Sequence, residues 1–486
     1  MEPLRNNESI NGEEVKPDVV TPSIYEIKNF KELVPQLIAA IIVTSYNLLI
    51  GMSIAFSGIL VPDIEKPNSE IHATFGESSW IASVNSLTMA VSLVFVGFFT
   101  DNIGRLNTVR LSIIPWATGW ALIALASNTT MLLVGRMIIG FAMSCASPGS
   151  VYLTETLWPN ARGVLLALNC VTSSLGVELM YLKGLFLSWR AIAWCCVLYS
   201  VICTGLTFLL YESPTWLIKK GKIKQARQSL EWLHKYQTSP TNTSHADIHL
   251  GILKQENNIR RETRKDRKTW NHRISQFLKP TAYKPTIILI GVFLIQNFSG
   301  VYVIIAYSVT FFENVGSTVD PLIASNLVSG MPVILSLINL YTIKRFKRKH
   351  ILIASCVGAS ICLFISGIFT KLTHNGLKGF GWVPILFIFL YMAIVMLGLE
   401  PIPWILACEL FPLEMRGILA AFCVSTTTCT MFVAIYSYRY LDIAFGSAGV
   451  QLFYGIVAIC GSLFVHYFIP ETKGKTLYEI ENYFQQ

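Results

Sequence analysis

About a dozen apolar runs, each near the 20 residues needed to cross ~30 Å of hydrocarbon, constrain this chain more than any other feature. They fall near 34–60, 79–99, 106–127, 131–154, 164–186, 189–211, 284–312, 321–343, 350–370, 380–409, 417–440 and 448–469. In hydrocarbon a backbone can satisfy its own N–H and C=O groups only as a helix or around a closed barrel. Barrel strands would alternate apolar with polar residues and be about half as long. The runs are continuously apolar, so the expected fold is an all-α membrane protein with twelve transmembrane helices. The composition agrees: 53% of residues are hydrophobic and 14% charged, against about 25% charged in soluble domains.

The polar segments divide the runs into five parts. Residues 1–33 form a polar tail, acidic at Glu8, Glu13, Glu14 and Asp18, without the basic-then-apolar layout of a cleavable signal. The first apolar run is therefore expected to be retained as a span. Residues 34–211 make the first six-helix half, 212–283 a basic loop, 284–469 the second half and 470–486 a short polar tail. Basic residues concentrate in the loop (Lys219, Lys220, Lys222, Lys224, Arg227, Arg260, Arg261, Arg264, Lys265, Arg267, Lys268), at Arg105 and at Lys344 to Lys349. The positive-inside bias places these, and with an even number of spans both termini, in the cytoplasm of a cell-membrane protein. The net charge of +9 is then a matter of topology, and nucleic acid is not an expected partner. The lipid bilayer is.

All eleven cysteines lie inside expected spans and read as apolar packing residues rather than disulfides or metal ligands. His234, His245 and His249 fall in the polar loop, where solvated surface is the default. Asn128-Thr-Thr is a glycosylation sequon in the outward loop after the third span. No Gly-rich phosphate loop, Ser-His-Asp set or His/Cys metal cluster is present, which argues against an enzyme and against a cofactor or metal. Charges gather at helix ends instead of lining a pore, which argues against an ion channel.

The chain also repeats itself. Glu155 stands seven positions before Arg162-Gly163, and Glu409 seven before Arg416-Gly417, an offset of 254 residues. Asp101 to Arg105 finds a counterpart in Lys344 to Arg348, and Glu212 in Glu471. Two matched halves with charges at the ends of apolar runs are the sequence form of a transporter built from parallel repeats, with a path between them. Carboxylates and guanidiniums at helix ends can form charge-assisted pairs that tie neighbouring helices and bias one state of the path over another. Asp101, Arg105, Arg136, Glu155, Arg162 and Glu212 are assigned to a first such cluster, and Arg345, Arg348, Glu409, Arg416 and Glu471 to a second.

At these positions the chain resembles the sugar porter family of the major facilitator superfamily. Gly97 to Arg105 resembles that family's loop between spans 2 and 3; Gly135-Arg136 with Gly140, and Glu155 to Gly163, resemble the start and end of its span 4. Pro401 to Trp404, Glu409 to Pro412, Arg416-Gly417 and Pro470 to Gly474 continue the likeness through the second half. Phe312 to Asp320 is most like insect facilitated trehalose and hexose transporters. The resemblance implies the major facilitator fold, two six-helix repeats. There are departures: Lys344 and Lys347 stand where the family has Asp and Gly, Tyr211 replaces a Pro and Thr215 an Arg.

A sugar site needs polar groups to replace water on each hydroxyl and aromatic faces for the ring. By resemblance the substrate residues are Gln296, Asn297, Tyr307 and Trp404. Other expected amides or acids are replaced, by Cys170, Tyr302, Pro332, Met396 and Thr427. Glu178 and Glu400 are carboxylates inside apolar runs, where a charge costs at least ~3 kcal/mol and marks a pathway or a proton site. Glu400 stands where the family has Gly. The proton-coupled relatives carry an Asp in span 1, in the region here reading Leu49 to Ser53, which holds no acid. The expectation is therefore a facilitative uniporter, for D-glucose or a related hexose first and trehalose second. Proton-coupled symport through either glutamate, or a non-transporting sugar sensor with a degraded site, are the alternatives.

Overall fold

The computed structural model describes residues 30–237, 244–265, 277, 279–316, 319–376, 379–411, 415–473, 475, 479 and 483–484. The acidic positions of residues 1–29 and the side chains of Arg260, Arg261, Arg264, Lys265, Arg267, Lys268, Lys344 and Arg416 lie outside the described residues. Among the described residues every regular element is helical. Span 1 is Phe30–Ile64, span 2 Phe75–Ile103, and span 3 the pair Arg105–Leu111 and Ile113–Ala124. Span 4 is Thr129–Ala146 with Pro148–Thr156, span 5 Pro159–Gly184 and span 6 Trp189–Thr207. In the second half, span 8 is Pro321–Arg345 and span 9 Arg348–His374.

Three helices of the second half depart from a simple rod. Arg416–Phe468 runs for 53 residues, about 80 Å if straight, far more than a bilayer's ~30 Å. Gly446, at φ 69° and ψ 165°, turns it and separates span 11 from span 12. Span 7 is interrupted: Pro280–Phe298 gives way at Gly300 (φ 96°) to Val301–Ala306, and then at Tyr307 to Ser308–Val315. A Cβ at Gly300 would also strike the Tyr454 ring, so only glycine allows this break. Span 10 is Trp382–Leu397 and Pro401–Glu409, with Gly398 to Glu400 between them. Pro401 and Pro403 have no N–H to continue the ladder of the first segment. These count twelve crossings, as the apolar runs predict.

The two largest apolar clusters lie mainly in one half each. One, from Tyr46 through Trp116, Trp120 and Met180 to Cys203, is mostly first-half and takes in Val309; the other, from Leu289 through Phe312, Tyr391 and Met392 to Val465, is mostly second-half and takes in Val61 and Ala82. Packing within a half is tight enough for backbone contact. Cβ atoms on Gly51 or Gly176 would collide with the Ser173 and Leu48 carbonyls, which lets spans 1 and 5 lie against each other.

Between the halves, the described hydrogen bonds and ring contacts lie at mid-span or toward one end. Arg439 pairs with Glu65 at 3.0 Å, Trp80 meets Phe432 and Tyr436, and Phe75 meets Tyr440. The Tyr181 hydroxyl donates to the Ile305 carbonyl, Ser329 to Glu178 at 2.6 Å, and Ser425 to the Ala90 carbonyl at 3.0 Å. This end is sealed. At the opposite end, which carries the segment after span 6, the described ion pairs stay within one half.

That segment forms its own small unit. Pro214–Lys219, Ile223–Leu233 and His245–Lys265 pack Trp216, Leu217, Ala226, Leu230 and Leu250 together. Two of its described histidines are not solvated surface. His234 and His249 are buried, joined Nε2 to Nδ1 at 3.0 Å, and His234 stacks on Trp158 with ring centroids 5.4 Å apart. Burial holds both imidazoles below their ordinary range, His249 down to about 4.

Candidate functional site

Two charge constellations stand at the loop-bearing end, one in each half. In the first, the Arg105 guanidinium meets Glu155 at 3.1 Å and Asp101 at 3.1 Å, and Lys219 reaches Asp101 at 3.5 Å. Glu155 also accepts the Ser213 hydroxyl. Glu212 works differently: its carboxylate accepts the backbone N–H groups of Arg105, Leu106 and Asn107 at 3.0–3.1 Å. It caps the positive end of the helix that opens span 3. The second half repeats both parts. Arg348 meets Glu409 at 2.7 Å, and Glu471 accepts the N–H groups of Arg348 at 3.1 Å and Lys349 at 3.2 Å. Arg345 has no described carboxylate; its guanidinium donates to the Tyr341 hydroxyl at 3.3 Å. Among the described residues, the arm that Asp101 supplies in the first half has no counterpart here.

One first-cluster assignment needs correction. Arg136 belongs to the sealed end, not to this cluster. It lies seven residues after Thr129, fully buried, and donates to the carbonyls of Ser53 (2.7 Å) and Ile81 (3.0 Å) and the hydroxyl of Ser57 (2.7 Å). It ties spans 1, 2 and 4 without a carboxylate. Arg162 donates to the Leu157 carbonyl at 3.2 Å, and none of the described ion pairs includes it.

The central residues come from the two broken spans. Unwinding of span 7 after Phe298 and of span 10 at Glu400 sets the two breaks against each other. Gln296 Nε2 donates to Glu400 Oε2 at 2.7 Å and to the Glu400 carbonyl at 3.1 Å; the Tyr302 hydroxyl donates to Glu400 Oε1 at 3.1 Å. Trp404 sets its ring edge-to-face on Phe293 at 5.2 Å. Cys170 of span 5 lies across the inter-half space, within electrostatic range of Glu400 and Tyr302. It is exposed at mid-span, while Glu400, Tyr302 and Trp404 are half-buried. An accessible space therefore separates the halves at this level.

Three of the residues expected to touch substrate are sealed from that space. Gln296, Asn297 and Tyr307 are each 0% exposed. Asn297 donates to the Thr427 and Thr430 hydroxyls at 3.1 and 2.6 Å, binding span 7 to span 11. Tyr307 packs on Tyr438 with centroids 5.0 Å apart. Glu178 sits on the seam between spans 5 and 8 rather than beside Glu400. The sequence reading missed the Glu65–Arg439 bridge; Arg439, a lone cation in an apolar run, was the signal for it. A recess of about 610 Å³ at the sealed end, lined by Gly58, Arg190, Glu313 and Leu322 among others, includes none of the central residues.

Two pseudo-equivalent bodies, paired charges at one end and a shared site at broken helices define a major facilitator transporter. Residues 39–484 match the profile of the Sugar (and other) transporter family, and the chain belongs to it. It is 31% identical to the facilitated trehalose transporter Tret1 of Apis mellifera ligustica, over 98% of this chain and 95% of that one. It is 29% identical to Tret1 of Polypedilum vanderplanki, over 92% and 87%. The inward-open conformation of the Escherichia coli xylose transporter XylE superposes with a TM-score of 0.74 at 19% identity, covering 91% of this chain and 98% of XylE. The family is one of transporters, not enzymes.

Proposed function

We propose that this chain carries a small neutral sugar passively across the cell membrane by alternating access. Trehalose is the first substrate to test, because the named insect relatives are trehalose facilitators; D-glucose or another hexose is the second. The observation that carries the reading is the half-buried set of Glu400, Tyr302 and Trp404 facing Cys170 across the inter-half space. It offers hydrogen-bond partners for hydroxyls and an indole face for a ring. The basic loop-bearing end faces the cytoplasm, so the arrangement is inward-facing, sealed outside by Arg439, Trp80 and Tyr181. Rocking of the halves about the central site would break that seal and close the charged end.

Passive transport is supported by Leu49 to Ser53, where span 1 has no acid. Uptake of labelled trehalose and D-glucose into cells expressing the chain tests both points. The internal sugar should approach and never exceed the external concentration, and a protonophore should change neither initial rate nor plateau. A second reading, proton-coupled symport, draws on Glu178 at the seam and Glu400 at the centre. Concentrative, protonophore-sensitive uptake abolished by Glu400→Gln would establish it in place of the first.

A further inference from the structure

The glutamine expected to touch substrate has no hydrogen-bond donor left for it. Gln296 is fully buried and directs its Nε2 to the carboxylate and the backbone carbonyl of Glu400. The Tyr302 hydroxyl holds the other carboxylate oxygen. Two side chains thus fix one carboxylate that is itself half-buried and faces the space containing Cys170. A carboxylate offers about four lone-pair sites. Gln296 and Tyr302 take one on each oxygen, so one on each remains. Among the described residues none of the ion pairs engages Glu400, which leaves the two free sites to a ligand.

We propose that Glu400 is the substrate-contacting acceptor of this transporter, receiving two adjacent ring hydroxyls, and that Gln296 and Tyr302 are positioning residues acting through it. The inference rests on the reading of the chain as a sugar carrier. A rigid acceptor-only pair of oxygens matches two neighbouring hydroxyls in the same bidentate manner that it would match a guanidinium. It also compensates for the amides replaced by Cys170 and Tyr302: the chain has moved the polar contact onto a residue beside the Pro401 break. The substrate class is a neutral sugar with an unmodified pair of adjacent hydroxyls, and removal of either should be felt at Glu400 alone.

The test is competition for labelled uptake by D-glucose, its monodeoxy analogues and trehalose, in wild type, Glu400→Gln, Tyr302→Phe, Gln296→Ala and the Gln296→Ala/Glu400→Gln double variant, each normalised to surface expression. In wild type, one adjacent pair of deoxy positions should weaken competition about tenfold, in keeping with a hydrogen bond to a charged group. In Glu400→Gln that discrimination should fall to about twofold or less. Tyr302→Phe, which deletes one oxygen atom and keeps the ring, should retain transport and lose part of the discrimination. Gln296→Ala should weaken apparent affinity threefold to tenfold in the wild-type background and add nothing in the Glu400→Gln background. Unchanged deoxy discrimination in both Glu400→Gln and Tyr302→Phe overturns the proposal, as does an additive Gln296→Ala effect, which would make Gln296 a direct contact. A wild-type chain that recognises none of these sugars overturns the transport reading itself.

Discussion

At the scale of single residues, polar groups in the bundle are settled by which acceptors lie within reach of their donors. Arg136 is the clearest case, a fully buried guanidinium whose fork meets Ser53, Ser57, Ile81 and Ala82 on two neighbouring spans. An ammonium is a point donor without that planar fork and cannot serve all of them. Arg136→Lys should therefore destabilise the first half by roughly 1.5–3 kcal/mol, the worth of a hydrogen bond to a charged group. A lower midpoint in detergent thermal-shift measurements checks it; an unchanged midpoint would mean the lysine finds equal partners. His249 gives a second residue-scale expectation. Its folded pKa, about 4, lies below the ordinary 6.5, so the unfolded state binds more protons between these values. Stability of the 214–265 unit is full above about pH 6.5 and falls as pH drops toward 4. Hydrogen exchange across Ile223–Leu233 should accelerate over that window, and His249→Phe should flatten the dependence.

At the scale of elements, the duplicated pattern resolves into two devices. One is a guanidinium–carboxylate pair across helices, Arg105 with Glu155 and Arg348 with Glu409; the other is a glutamate that caps a helix start, Glu212 and Glu471. The second device depends on charge at an N-terminus more than on a partner side chain. Glu212→Gln keeps the shape and removes the anion, and should weaken the start of span 3 by about 0.5–2 kcal/mol. Glu471→Gln should do the same at span 9. Comparable thermal shifts in the two variants would bear out the equivalence, while a null effect in either would leave that carboxylate a topological anchor.

At the scale of the whole molecule, the distribution of cross-half contacts decides the state. The Glu65–Arg439 bridge, with side chains 26% and 14% exposed, is shielded enough to hold the sealed end, whereas the Arg105 and Arg348 pairs are made inside each half. Arg439→Ala should favour opening of the sealed end, and Arg105→Ala should do the reverse by loosening the loop-bearing end of the first half. Cys170, exposed in the central space, is a native reporter. In a background where the other accessible cysteines are replaced, its labelling by an impermeant thiol reagent from outside should rise in the first variant and fall in the second. Equal rates in both would reduce these charges to anchors.

The spans, their helical class and the grouping of Arg105 with Glu155 and of Arg348 with Glu409 in matched clusters were legible in the chain, because each follows from a local run length or a repeated spacing. Nothing local says which face of a span looks inward, since every face of these helices is apolar enough for lipid. Only the tertiary structure therefore put Gln296 behind Glu400 and His234 under Trp158. In a medium without water, a buried donor is directed by the nearest acceptor that the rotation of neighbouring helices provides. That rotation is a property of the packed halves, and no single run of residues encodes it.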